Sequence, residues 1–198
     1  MLITYSQLQG KPVLSLQTGA EIARVKAILL DPRNLTVTAY ELEGRMLDEH
    51  PSFLRLDEVR ELGTMGFIVD SSDDFVGLED VIKIKQVYEF HFNLIGLDVI
   101  EQTGTKLGKI HGYTVDPSGY AVQQIMVRRP LLKSFTDTEL VIHRSQIVEV
   151  GNNKVIVHSA APKEEIAVTD TIKGYANPFR QSRPAQPDTI STNEAKED

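Results

Sequence analysis

The chain has 198 residues, 41% hydrophobic and 25% charged, the balance of a soluble globular protein with one ordinary domain or two small ones. No run approaches the roughly 18 apolar residues of a membrane span, and Met1-Leu2-Ile3-Thr4-Tyr5 lacks the basic-then-apolar order of a secretory leader. The absence of cysteine and a net charge of −7 exclude thiolate chemistry and Cys-based zinc, argue against a general nucleic-acid binder, and lead us to expect a cytoplasmic protein.

In chain order, Gln17-Thr18-Gly19 places a residue tolerant of positive φ between two β-prone runs, the mark of a tight turn. Residues 22–30 then alternate, with Val25, Ala27 and Leu29 on one face and Arg24 and Lys26 on the other. Asp31-Pro32-Arg33-Asn34 suits a type I turn in which Asp caps and Pro presets φ. Strands are predicted at 36–43, 53–57 and 66–70, and Leu78 to Lys85 fits either a short helix or a sixth strand.

The pattern then starts again. Gln17-Thr18-Gly19 recurs as Gln102-Thr103-Gly104, Asp31-Pro32 as Asp116-Pro117 and Val37 as Val122, all at an offset of 85. Six identities in the 21 positions from 17 to 37 exceed the one or two expected from roughly average composition. Further on the offset becomes 88, where Gly63–Val69 overlays Gly151–Val157. A period of this length suits a small domain rather than a solenoid unit. The second set of strands falls at 107–115, 120–128, 139–143 and 154–158. Residues 163–175 suit one last strand or short helix. From about Ala176 the composition is polar and Pro-containing, with too little apolar surface to offset its ordering entropy, so disorder is expected there. Five short strands in about 75 residues favour a small closed or partly closed barrel, which removes exposed edges.

Gly96-Leu97-Asp98-Val99-Ile100 and Gly104-Thr105-Lys106-Leu107-Gly108-Lys109-Ile110, followed by Val115-Asp116-Pro117-Ser118-Gly119, resemble the opening of a PRC-barrel domain. The first copy matches less closely, with Ala23 where the second has Gly108. The resemblance spans about residues 10–160. It implies an all-β fold of two PRC-barrel-like β-barrels in tandem: residues 1–77, a connecting segment 78–94, residues 95–162, and a C-terminal extension 163–198. It also implies a binding role. One member of the family forms the cytoplasmic part of the H subunit of photosynthetic reaction centres. Another, in the 16S ribosomal RNA maturation factor, contacts a ribosomal protein. This sequence carries neither the membrane anchor of the first nor the preceding barrel of the second, so only the binding role is expected to transfer.

Residues with catalytic potential are scattered. The five histidines, His50, His91, His111, His143 and His158, include no pair at helical zinc spacing. His111 lies beside Lys109 on a polar strand face, but its counterpart is Lys26, which could not do the same chemistry. Ser71-Ser72-Asp73-Asp74 superficially suggests calcium, yet Phe75, Val76 and Leu78 stand where further oxygen ligands would be needed. Nucleophile elbows and phosphate-binding loops are absent. No catalytic activity, cofactor or metal is expected.

Charge divides the halves. Residues 1–90 carry 9 basic and 15 acidic side chains, and residues 91–175 carry 9 of each. Glu43-Gly44 corresponds to Arg128-Arg129, a reversal at a strand end, followed by Pro130-Leu131-Leu132-Lys133-Ser134-Phe135. Apolar anchors beside arginines are what protein interfaces favour. The candidate partner contact is therefore Arg128, Arg129, Leu131, Leu132, Lys133 and Phe135, the alternative being that the three apolar side chains fold back onto a barrel end. The expectation is a cytoplasmic adaptor of bacterial or archaeal type that binds an unidentified protein partner. No DNA is expected, and RNA only indirectly, through a ribosomal protein. Self-association is left open. The competing expectation is a ribosome-associated assembly factor that contacts a ribosomal protein.

Overall fold

A computed structural model describes residues 2–129 and 139–158, and these fall within one unit of mutually contacting chain. The first half runs β1 (Ile3–Thr4), α1 (Tyr5–Leu8), β2 (Pro12–Ser15), β3 (Glu21–Asp31), β4 (Thr36–Glu43), β5 (Ser52–Arg55), β6 (Glu61–Leu62), β7 (Phe67–Val69) and β8 (Phe75–Gly77). The segment 78–85 resolves toward helix, α2 (Ile82–Tyr88). The second half runs β9 (Asp98–Glu101), β10 (Lys106–Asp116), β11 (Ala121–Arg128), β12 (Glu139–His143), β13 (Ile147–Val150) and β14 (Lys154–Val157). The protein is mostly β, and its sheet curls like half of a barrel. The extension 163–198 and the expected structure at 163–175 lie outside the described residues.

The internal repeat of the sequence recurs in the hydrogen bonding. β3 and β10 occupy equivalent spans at an offset of 85, as do β4 and β11. Their registers agree pair for pair, from Arg24↔Glu43 and Lys109↔Arg128 to Asp31↔Thr36 and Asp116↔Ala121. β2 lies parallel to β7 as β9 lies parallel to β14. The turns repeat as well: Gly19 (φ 68°) and Gly104 (φ 89°) hold the positive φ expected from the sequence, which glycine adopts without a Cβ penalty. After the Asp-Pro turns the left-handed residues are Leu35 (φ 50°) and Tyr120 (φ 52°), one beyond Asn34 and Gly119. In both turns the aspartate caps the backbone, Asp31 Oδ1 accepting from Arg33 N and Asp116 Oδ1 from Ser118 N, each at 3.0 Å.

Simple alternation along β3 and β10 ends at a bulge. Val25 pairs with Leu42 and Ala27 with Glu41, leaving Lys26 as the extra residue; Ile110 and Gly112 leave His111 in the same place. The bulge shifts the phase of the pleat. Ala27 and Leu29, expected on one buried face with Val25, are therefore only half-buried, and Leu29 packs on the opposite side against Ala39, Phe53 and Ile84. That second cluster is roofed by α2. The main core runs through both halves, joining Val13, Val25, Tyr40, Leu54 and Phe67 to Val99, Ile110, Tyr113, Ile125 and Val155.

The halves meet across a local twofold axis. Thr36 of β4 pairs with Ala121 of β11, its own counterpart at offset 85. Val37 N donates to Tyr120 O at 2.8 Å, and Val122 N donates to Leu35 O at 2.9 Å. Such reciprocity, i to j and j to i, is what a twofold contact produces. β1 adds a second link by pairing with β10.

Candidate functional site

Three places combine chemistry with position, and the end of β11 at Arg128 is the first. β11 ends with Arg128 exposed and Arg129 half-buried. Leu131, Leu132, Lys133 and Phe135 lie outside the described residues. On the first copy the equivalent strand end is neutralised, Glu43 standing opposite Arg24. On the second, Arg128 stands opposite Lys109 on one side and Glu139 on the other. Like charges directly opposite one another destabilise a sheet. Lys109 is partly compensated by Asp98 Oδ1 at 3.3 Å. Lys106 holds the Asp98 carboxyl below its ordinary range through a hydrogen bond, and Lys109 adds to the effect. Neither Arg128 nor Arg129 makes an ion pair among the described residues. The backbone here is close-fitting: a Cβ on Gly108 would lie 2.1 Å from Arg128 O, so glycine is required by the strand end it faces.

His111 sits on the neighbouring bulge, half-buried, with Nε2 3.2 Å from Glu139 Oε1. The equivalent bulge carries Lys26, whose Nζ is 2.6 Å from Glu41 Oε1; that hydrogen bond raises the Lys26 pKa. Both bulge residues thus face a carboxylate, Lys26 through a hydrogen bond and His111 through a looser contact that leaves its buried Nε2 without a hydrogen-bond partner among the described residues. The Ser71–Asp74 segment is also accounted for locally. Asp74 Oδ2 accepts from the backbone of Asp70 and Ser71, and Ser71 Oγ accepts from Asp73 N. Among the described residues no three His, Asp or Glu side chains converge as metal ligands.

The third place went unread in the sequence. A cavity of about 360 Å³ lies at the seam, lined by Ile3, Tyr40, Val59, Arg60, Glu61, Leu62, Phe67, Pro117 and Tyr120. Its counterpart across the twofold is lined by Pro32, Leu35, Ile147, Val148, Glu149 and Val150 and contains Arg144. That arginine donates from Nη1 to Val122 O at 3.2 Å and Leu35 O at 3.4 Å, and from Nη2 to Asn34 O. The residue equivalent to Arg144 is Leu56, so the first cavity has no such polar filling. It has aromatic walls instead, Tyr40 against Phe67 with ring centroids 4.7 Å apart. Burial, aided by the nearby Tyr120, pushes the Tyr40 hydroxyl far above the usual phenol range. The signal that could have found it is comparative: Tyr40, Phe67 and Tyr120 correspond to Ile125, Val155 and Leu35, aromatic in one copy and aliphatic in the other.

Compared with known proteins, the chain matches no family model. No curated protein matches it either.

Proposed function

We propose that this chain is a non-catalytic adaptor of bacterial type, two PRC-barrel-like modules in tandem, spanning about residues 1–77 and 95–162. It binds a protein partner in the cytoplasm through Arg128, Arg129, Leu131, Leu132, Lys133 and Phe135. The observation that carries the reading is the charge reversal on a repeated frame. The same strand end bears Glu43 opposite Arg24 in one copy and Arg128 opposite Lys109 in the other. A fold that accepts either sign does not require the unfavourable one. Cations held side by side, offset in part by Asp98 and Glu139, are suited to meeting an acidic surface.

The test is affinity capture of the tagged full chain from its own host with crosslinking and mass spectrometry, beside the Leu132→Asp, Phe135→Asp double variant. One partner crosslinked near Lys133, and lost from the double variant while circular dichroism and melting stay near wild type, is the expected result. Unfolding of the double variant would make those side chains core and end their role as contacts. Enrichment of ribosomal proteins above an untagged control would move the assignment to ribosome assembly.

A further inference from the structure

We infer that the seam cavity of Tyr40, Phe67 and Tyr120 is a binding site for a small uncharged aromatic molecule carrying one hydrogen-bond acceptor. Its volume of about 360 Å³ falls within the roughly 300–1,000 Å³ of ligand sites, which are typically apolar with a few placed polar groups. Ile3, Val59, Leu62, Phe67 and Pro117 supply the apolar walls. Tyr40 supplies the polar group. It is 2% exposed, lines the cavity, and its hydroxyl makes no hydrogen bond to any described residue. An acceptor delivered into the cavity would give that hydroxyl a partner in an otherwise apolar setting. The preference for an aromatic guest follows from the rings of Tyr40, Phe67 and Tyr120, since aromatic pairs gain beyond area burial alone.

Charge selects further. Arg60 at the mouth is committed to Asp70, with Nε 3.0 Å from Oδ1 and 3.1 Å from Oδ2, and it is not free to hold an anion. The exposed Glu61 stands beside it and disfavours one. The twofold mate supplies the contrast. There the chain's own Arg144 occupies the polar carbonyl cradle, whereas the equivalent residue here is the apolar Leu56.

The experiment uses the full chain and three probes: acetophenone, ethylbenzene without the acceptor, and cyclohexyl methyl ketone without the ring. Binding is read by saturation-transfer NMR and titration. Acetophenone should bind about tenfold tighter than ethylbenzene, the worth of one buried hydrogen bond, and tighter than the cyclohexyl ketone. Tyr40→Phe should erase the preference over ethylbenzene while ethylbenzene affinity holds, and Leu62→Trp should abolish binding of all three. No saturation transfer from any probe at millimolar concentration would make the cavity a water-filled seam and overturn the inference. Equal affinities for acetophenone and ethylbenzene in the wild type would also overturn it, and need no variant to fold.

Discussion

Gly108→Ala tests whether the close approach at the end of β11 is a real constraint. An added Cβ would lie 2.1 Å from Arg128 O, 2.8 Å from Arg128 C and 3.0 Å from Val127 Cγ1. To restore even 3.0 Å to the carbonyl oxygen, the backbone must withdraw by about 0.9 Å, and it is the backbone that pairs Lys109 with Arg128. Overpacking of this kind costs about 1–3 kcal/mol, and because the nearest atoms are backbone rather than a flexible side chain the upper half of that range applies. At roughly 2–4 °C per kcal/mol for a protein of this size, the melting temperature should fall by about 4–12 °C.

The first copy suggests how the cost is avoided. There Ala23 occupies the equivalent position and the small residue is Gly44, whose own Cβ would lie 3.3 Å from Ala23 Cα. The counterpart of Gly44 is Arg129, so Gly108→Ala combined with Arg129→Gly should recover at least half of the loss. Gly119→Ala is the control. Nothing lies within 4 Å of its would-be Cβ, and the substitution should be neutral or stabilise by about 0.4–1 kcal/mol through the unfolded state. Thermal melts followed by circular dichroism read all four proteins. Gly108→Ala melting within about 1 °C of wild type, far inside the expected shift, would refute the steric argument. No recovery in the double variant would refute the proposed exchange between positions 108 and 129.

Two further predictions concern the repeat. Asp31, 3% exposed, accepts from Arg33 Nε at 2.9 Å and Nη2 at 2.7 Å, and these bonds hold its carboxyl below the ordinary range. Asp31→Asn should therefore cost about 1–2 kcal/mol at neutral pH in urea unfolding, discounted because Arg33 is largely exposed. A lowered folded pKa means this contribution is whole above the unfolded value near 3.9 and is lost as pH falls toward the folded one. Wild type and variant should converge in acid, and a gap unchanged down to about pH 2 would contradict the cause assigned. Arg144→Met removes the donors to Asn34, Leu35 and Val122 and should cost about 1–3 kcal/mol, with faster hydrogen exchange at the Val37 and Val122 amides that bridge the halves. Unchanged exchange at both would show that the seam does not depend on Arg144.

The turns and the repetition of the strands were legible in the sequence because they rest on local signals. Gly19 and Gly104 marked turns through the φ they allow, and Asp31 and Asp116 marked turns through their caps. The offsets of 85 and 88 foretold which strands would repeat. Three features were hidden for physical reasons. A bulge leaves no trace in alternation until the partner strand is known, so Lys26 and His111 read as ordinary polar positions. β5 was expected over 53–57 but ends at Arg55 in a 3-10 turn, Leu56–Glu58, because a half-buried Leu56 fits either conformation. The seam cavity brings Ile3, Tyr40, Phe67 and Tyr120 together from four distant segments, and no local pattern encodes that convergence.

A repeated backbone separates what the fold requires from what it merely permits. Gly10 and Gly96, both at positive φ, and Leu8 and Leu94, each 1% exposed, share one role in both copies, so geometry accounts for them. Glu43 and Arg128, Tyr40 and Ile125, and Leu56 and Arg144 occupy matching positions with opposed chemistry. The β3–β4 and β10–β11 pairing around them is the same, so that pairing cannot be what selects between the two members. Compensation by neighbours explains part of the difference, as Asp98 does for Lys109 and the carbonyl cradle does for Arg144. Two positions remain open to a partner: Arg128, which has Lys109 on one side and Glu139 on the other, and Tyr40, which lines the seam cavity with no hydrogen bond from its hydroxyl to a described residue. Those are the two places where a binding partner, one acidic and one aromatic, would supply what the chain does not.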